Sequence, residues 1–281
     1  MENKYGLIFI GGCPRSGTTA LQLFLGSHSA IATTRETHLF DFYVGPFLQR
    51  YRNEAQLTKS NDGIRRLLSE SDMMRWCHTF SEAVFERMLS LKPSAAIVLE
   101  KTPGNSKYGC RIAELFPSYC FISVIRDPRG VAASFLAASR HAWGAWASSA
   151  VPAIAQKWLG AIGTLPVLDR AFGRRHIYIR YEDFLNPNAD ARGRLIGFLV
   201  SQFPKQAFEL SQFALPEVGS TSDLGLSDDQ YNPSKEGRTD FFRRGIPDGW
   251  QTELATRDIK IIERLCGAEM QKLGYVPVAQ V

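Results

Sequence analysis

The sequence predicts an α/β fold with a central parallel sheet flanked by helices, on three observations. Short β-branched or aromatic runs recur at residues 7–10, 95–99, 119–125 and 176–181. Each run lies beside a helical pattern, and strands that alternate with helices build parallel sheets covered on both faces. The first run also opens into "GCPRSGTT" and then "ALQLFLGSH", which is the strand, glycine-rich turn and helix of a phosphate-binding loop.

The elements follow in chain order. Leu21, Phe24, Leu25 and His28 fall at helical spacing after the loop. Residues 41–92 read as a mostly helical insertion. Its long helix is expected over 73–91, with Cys77, Phe80, Val84 and Met88 on one face. Thr79 and Glu82 offer a capping box for a later start. Asp127-Pro128 reads as an N-cap followed by an N1 proline, opening a helix through Arg140. Residues 213–240 are polar and turn-rich, as a long loop is. A last helix is expected over 253–273, with Ile259, Ile262, Cys266 and Leu273 inward and Gly274 as its stop. With no internal repeat and no linker, residues 1–281 read as a single domain.

Composition narrows the function classes. The chain has 281 residues, 44% hydrophobic and 22% charged, as expected of a globular protein with a substantial core. No window reaches the roughly 18 uninterrupted apolar residues of a membrane span, and no signal-peptide pattern opens the chain. A soluble cytoplasmic protein is the expectation, without membrane insertion. The five cysteines are scattered and include no CxxC pair, which speaks against a disulfide framework or a zinc site. The net charge of +5 is not gathered into one basic stripe. An arginine-lined site for a small polyanion explains it as well as a nucleic-acid surface does, and no nucleic-acid partner is expected. Composition leaves the oligomeric state open.

Three stretches carry the chemistry. In the loop, Gly12, Gly17 and Thr19 fit the G-x-x-x-x-G-K-[ST] frame, but Thr18 stands where a nucleoside triphosphatase has its lysine. The positive charge sits earlier, at Arg15. The second stretch is "SVIRDPRGVAASF", with Arg126 closing a buried strand and Ser134 in the helix beyond it. A charged residue there faces the crevice where α/β proteins bind ligands. An ordinary ion pair of Arg126 with Asp127 or Asp183 is the competing reading. The third stretch is "FFRRGIPDGW", with Arg243 and Arg244 before Gly245.

Together these stretches resemble the sulfotransferases that use 3′-phosphoadenosine 5′-phosphosulfate (PAPS) and release PAP. The resemblance implies a P-loop-like sulfotransferase architecture. It implies that Pro14, Arg15, Ser16, Gly17, Thr18 and Thr19 form the loop for the 5′-phosphosulfate. Arg126 and Ser134 match the family's arginine and serine for the 3′-phosphate. "FFRRG", with Arg243, Arg244 and Gly245, resembles the family's further phosphate segment. Tyr181 in "IRYEDF" falls where the family commonly has a tyrosine near the nucleotide. The likeness runs from residue 7 to about 250 and leaves 41–92 and 140–172 unmatched.

Sulfuryl transfer needs a base for the acceptor hydroxyl and positive charge where negative charge develops. Arg15 suits the second role. So does Lys101 in "VLEKTPGN", because the family commonly places a lysine at that strand end. Cytosolic sulfotransferases take their base from a Lys-x-His segment, but that histidine position is Pro103 here. Tyrosylprotein sulfotransferases instead use a glutamate in a Glu-Thr pair beyond the loop helix, which "TTRETHLF" matches with Glu36-Thr37. A glutamate of ordinary pKa is ionised at neutral pH and can accept a proton. A bridge from Glu36 to Arg35 is the competing reading, and His38, His78 and His141 stay open as alternative bases. Trp143 and Trp146 either wall an acceptor pocket or pack. No metal-ligand spacing occurs, so the expected reaction uses no metal.

The leading expectation is therefore a PAPS-dependent sulfotransferase acting on a hydroxyl of a small molecule, saccharide or carrier-bound hydroxyacyl chain. A P-loop kinase or nucleotide hydrolase and a non-catalytic PAP(S)-binding protein are the competing classes.

Overall fold

The computed structural model describes residues 4–59, 62–141, 144–216 and 246–278. Its centre is a five-stranded sheet of β1 (Gly6–Gly12), β2 (Ile31–Thr33), β3 (Ile97–Lys101), β4 (Cys120–Ile125) and β5 (His176–Arg180), in the order β2-β3-β1-β4-β5. Every pairing is parallel. β1 sits between β3 and β4, with Ile10 opposite Lys101 on one side and Ile122 on the other. Crossovers from β1 and from β4 leave toward opposite edges, so the carboxyl ends of these two strands flank the crevice where such sheets bind ligands.

Residue alternation along the strands separates the two faces. Leu7 and Phe9 of β1, Val98 of β3 and Phe121 of β4 belong to one core. Ile8 and Ile10, Ile97 and Leu99, Cys120, Ile122 and Val124 belong to the other. On the second face lie α1 (Thr18–Gly26) and, later in the chain, a helix over Ala191–Gln202. The first face is covered by a helical stretch that starts with a π-helical turn over Leu39–Val44. It continues through α2 (Gly45–Arg52), α3 (Glu54–Thr58) and α4 (Glu70–Ser90), and is joined by α5 (Gly109–Leu115). Phe9 is its hub, with ring centroids 5.6 Å from Phe40, 6.0 Å from Phe85 and 5.9 Å from Phe116.

A third apolar cluster lies beyond β4. It joins α6 (Pro128–Ala138), α7 (Val151–Ile162) and the C-terminal helix over Thr256–Lys272 around the fully buried Trp158. Between these come α8 (Leu165–Phe172) and α9 (Tyr181–Leu185). With α10 (Ala191–Gln202), α11 (Trp250–Glu253) and α12 (Thr256–Lys272) they complete the helical elements discussed below.

The four expected strands are present, each displaced by no more than two residues at a boundary. β2 was not expected, since three residues give too short a pattern to show. The insertion is helical, and on α4 Cys77 and Met88 of the expected face are buried with Val84 packed against the core, but the buried stripe runs through Ser81 and Phe85 and not through Phe80. Ser69 caps the helix in a capping box with Asp72, not Thr79 with Glu82. Met73, Cys77, Ser81, Phe85 and Met88 are buried, while Phe80 is half exposed. Ser81 can lie inward because its hydroxyl donates to the Cys77 carbonyl at 2.8 Å, so polarity at that position concealed the true stripe. Asp127 caps α6 as expected, accepting from the Arg129 N–H, and the helix ends at Ala138. Gly274, at φ 76°, follows α12. Of the expected 213–240 loop, only 213–216 fall among the described residues, and Phe213 stacks on Phe24 with centroids 5.1 Å apart.

Truncating the hub tests this packing. Phe9→Ala is expected to cost about 3–5 kcal/mol, read as a lower urea midpoint with an unchanged slope. A loss below about 1 kcal/mol would show that Phe9 does not organise that face.

Candidate active site

β1 runs out at Gly12, and the chain turns through 13–17 before α1 begins. Gly17 sits at φ 92°, a conformation that favours glycine, and a Cβ there would collide with the Tyr181 ring. The N-terminus of α1 has no side-chain cap and no acidic residue in its first turn. Its unpaired N–H groups and dipole therefore present an anion-binding end. Ser16 is fully buried at this turn, and its Oγ has no hydrogen-bond partner. Cys13 is buried too; burial pushes its thiol up to about 12, so it packs and is not a nucleophile.

The loop and the end of β4 are joined directly. Arg15, itself at φ 69°, donates from Nε to Ser134 Oγ at 2.9 Å. Arg126 donates from Nη1 to the Arg15 carbonyl at 3.1 Å, and its guanidinium lies 4.5 Å from the Tyr181 ring centroid. Its Nε is buried with no partner. Gly130, one turn into α6, permits this placement: a Cβ there would lie 2.9 Å from Arg126 Nε. Neither acid expected as a competitor holds Arg126. Asp127 pairs with Arg129 at 2.6 Å, and Asp183 lies 3.8 Å from Arg180. Trp158 fixes the backbone by donating to the Arg126 carbonyl at 2.8 Å. Arg15 thus bridges the loop to the Arg126–Ser134 group.

The end of β3 carries two charged residues that point to opposite faces. Lys101 lies on the α1 side, its side chain 2% exposed, donating to Thr19 Oγ1 at 3.0 Å and pairing with Glu36 Oε1 at 2.6 Å. Burial pushes the Lys101 pKa down, and Glu36 opposes that shift. Glu36 therefore pairs with Lys101, on the strand beside it. Glu100 lies on the other side and is fully buried. It accepts from Thr37 Oγ1 at 2.7 Å, Thr102 Oγ1 at 2.8 Å and Asn105 Nδ2. Burial raises its pKa, while these donors favour the carboxylate. Thr37 also accepts from the Leu39 N–H, and Thr102 from the His38 N–H at 3.3 Å. The segment bearing Glu36 thus hangs from a buried carboxylate on β3.

His38 is the one alternative base near this group, with Nε2 3.6 Å from Glu36 Oε2. His78 lies elsewhere: it stacks on Phe116, 4.9 Å between centroids, on the helix-covered face. His141 follows the C-terminal end of α6, three turns from the Arg126 end. Trp146 packs edge-on against Phe135, 5.7 Å between centroids. Trp143, Arg243, Arg244 and Gly245 lie outside the described residues. A mostly apolar cleft of about 380 Å³ adjoins Thr37, lined by Phe80, Val84, Met88 and Leu91 with Arg87. Sequence reasoning missed Glu100, the cleft, and Asp41, whose carboxylate lies 3.1 Å from His38 Nδ1. A glutamate inside the apolar run "IVLEK" was a visible signal, since unpaired glutamates are almost never fully buried. The cleft had no signal in the sequence.

Comparison with known proteins bears on the family and the fold. A family model described as "Sulfotransferase family" matches residues 8–204, and the chain belongs to that family. That membership fits a PAPS-dependent sulfotransferase family. The chain is similar to a protein-tyrosine sulfotransferase of Drosophila melanogaster, 26% identical over 195 residues that make up 69% of this chain and 38% of that protein. It is also similar to nodulation protein NoeE of Sinorhizobium fredii, 24% identical over 96% of this chain and 66% of that protein. The chain thus spans less than two thirds of the length of each. Among solved structures, the sulfotransferase domain from the curacin biosynthetic pathway shares the fold at a TM-score of 0.57 and 19% identity, covering 98% of this chain and 99% of that one. Mouse sulfotransferase SULT7A1 complexed with PAP does so at 0.53 and 13%, covering 95% and 85%. Among the described residues no helix is long and apolar enough to cross a membrane.

The Glu100 network gives a direct test. Three donors converge on its two oxygens, and Glu100→Gln replaces one acceptor by a donor group. The substitution is expected to cost about 1–3 kcal/mol, the penalty for a buried polar group left unpaired, read as a lower melting temperature. Unchanged stability would mean that the donors find other partners and that Glu100 does not anchor the 36–38 segment.

Proposed function

We propose that this chain transfers the sulfuryl group of PAPS to a hydroxyl of an acceptor, with Glu36 as the base. The observation that carries this reading is the run Thr19–Lys101–Glu36. It links the anion-binding end of α1 to a carboxylate through one buried ammonium. The residues present suit the donor, since Ser16 Oγ and Arg126 Nε are buried polar atoms without partners at the two expected anion positions.

PAPS, when bound, supplies an activated sulfuryl group on a phosphate leaving group. The α1 N–H groups with Ser16 and Arg15 hold the 5′ end, and Arg126 with Ser134 holds the 3′-phosphate, beside Tyr181. Arg243, Arg244 and Gly245 join them by the family resemblance. Lys101, shielded from water, presents its charge to the leaving oxygen in surroundings where charge acts strongly. Glu36 keeps one oxygen on Lys101 and turns the other toward the acceptor side, where it takes the hydroxyl proton. The adjoining apolar cleft supports an acceptor whose hydroxyl sits on an apolar body. The tyrosine named in the Drosophila relative's description carries one such hydroxyl.

The cofactor half of the reading is tested by thermal shift. PAP is expected to stabilise the protein by mass action well beyond ADP, which lacks the 3′-phosphate. Arg126→Ala is expected to weaken PAP by roughly 10- to 150-fold, the worth of a charge-assisted contact of about 1.5–3 kcal/mol. Equal shifts for PAP and ADP would remove the 3′-phosphate site. The catalytic half is tested by PAP release from radiolabelled PAPS, with water and a panel of hydroxyl compounds as acceptors. Glu36→Gln is expected to lower turnover by about 10²- to 10⁴-fold with PAP affinity retained. Normal turnover in that variant would refute the base.

A further inference from the structure

His38 is held in a way that its position in the chain does not require. Its backbone is left-handed, at φ 52°, a conformation that costs a non-glycine residue energy and clusters at functional sites. Its Nδ1 lies 3.2 Å from Asp41 Oδ1 and 3.1 Å from Oδ2. A carboxylate only accepts hydrogen bonds, so the hydrogen of this contact belongs to Nδ1. In the neutral ring Nε2 then carries the lone pair, and Nε2 faces Glu36 Oε2 at 3.6 Å. One face of the ring is covered by Phe42, with centroids 4.3 Å apart and planes 9° from parallel. Asp41 approaches closely because residue 104 is glycine: a Cβ there would lie 2.7 Å from Asp41 Oδ2.

Between Nε2 and Glu36 Oε2 there are two acceptors and room for one proton. The other oxygen of Glu36 is engaged by Lys101 at 2.6 Å, so a proton taken up by this carboxylate goes to Oε2. Glu36 must also shed that proton before the next turnover.

We propose that His38 and Asp41 form a proton relay that clears Glu36 after each transfer. This rests on the reading of Glu36 as the base. The acceptor oxygen bonds to sulfur as the sulfur–oxygen bond to the departing PAP breaks, and the hydroxyl proton passes to Glu36 Oε2. The carboxylic acid then gives it to His38 Nε2 across a gap closed by a small rotation or one water. The carboxylate is restored, and the imidazolium is balanced by Asp41. His38, its side chain 36% exposed, releases the proton to solvent and returns to the neutral ring. His38 is thus a positioning and relay residue acting through Glu36.

The test combines a readout that needs no acceptor with one that does. In ¹⁵N-histidine-labelled protein, with the signal assigned by its loss in His38→Gln, neutral His38 is expected to carry its proton on Nδ1. Gly104→Ala, which displaces Asp41 without touching the ring, is expected to shift the proton toward Nε2. PAP release from PAPS is expected to fall at least about tenfold in His38→Gln and Asp41→Asn, with PAP affinity unchanged. Free imidazole is expected to restore His38→Gly. A neutral ring protonated on Nε2 in the parent protein overturns the proposal, and so does normal turnover in His38→Gln. Glu36→Gln measured beside them separates the two readings. Its collapse with a normal His38→Gln keeps the base and removes the relay. Normal turnover in Glu36→Gln with collapse in His38→Gln overturns both and makes His38 the base.

Discussion

The ion pair between Lys101 and Glu36 is the contact on which the rest of the site depends. A lysine with its side chain 2% exposed stays charged only beside a countercharge, because desolvation favours its neutral form. Glu36 supplies that charge at 2.6 Å. Because Lys101 also reaches Thr19 at the start of α1, the pair links β3 to the anion-binding loop on one side and to the 36–38 segment on the other. Breaking such a pair leaves a buried charge uncompensated, a loss of about 3–5 kcal/mol. The arrangement is therefore constrained as a unit.

The sheet makes this possible. Parallel strands bring all their carboxyl ends to one edge, and each strand of the centre ends there on a functional group. β1 leads into the loop, β3 ends on Glu100 and Lys101, β4 is followed by Arg126 and β5 by Tyr181. Alternation on β3 then sends Lys101 toward α1 and Glu100 toward the helix-covered face. A carboxylate on that side holds Thr37 and Thr102, and through them the chain bearing Glu36 and His38. Neighbouring residues of one strand thus fix the same segment from two directions, one by charge and one by hydrogen bonds. Gly17, Gly104 and Gly130 serve the same edge by letting Tyr181, Asp41 and Arg126 approach closer than a Cβ would allow.

Much of this was legible in the sequence, because strand ends and loop geometry are local. "GCPRSGTT" after an apolar run specifies a turn and a helix end, and Arg126 closing its strand specifies an edge position. Lys101 and Glu36 were legible as separate candidates, but their pairing joins residues far apart in the chain and depends on the strand order. The helical insertion was legible as helical, with Cys77 and Met88 rightly inward, but its stripe was drawn through Phe80, since Ser81 satisfies its hydroxyl within its own helix and so hides on the buried side. The junction of Arg15 with Ser134 was likewise invisible, being a contact across the crevice. Glu100 was overlooked although it stood inside an apolar strand, where a charge needs partners.

The central claim is that Lys101 and Glu36 act as one unit in transfer, and a double-mutant cycle on PAP release from PAPS tests it most directly. Lys101→Met, Glu36→Gln and the double variant would be compared under single turnover, with PAP binding confirming that each retains its fold. If the pair acts as a unit, either single change removes most of the rate and the double change adds little, giving a coupling energy toward the upper end of about 0.5–3 kcal/mol. Losses that simply add would contradict the account, because the two residues would then act independently.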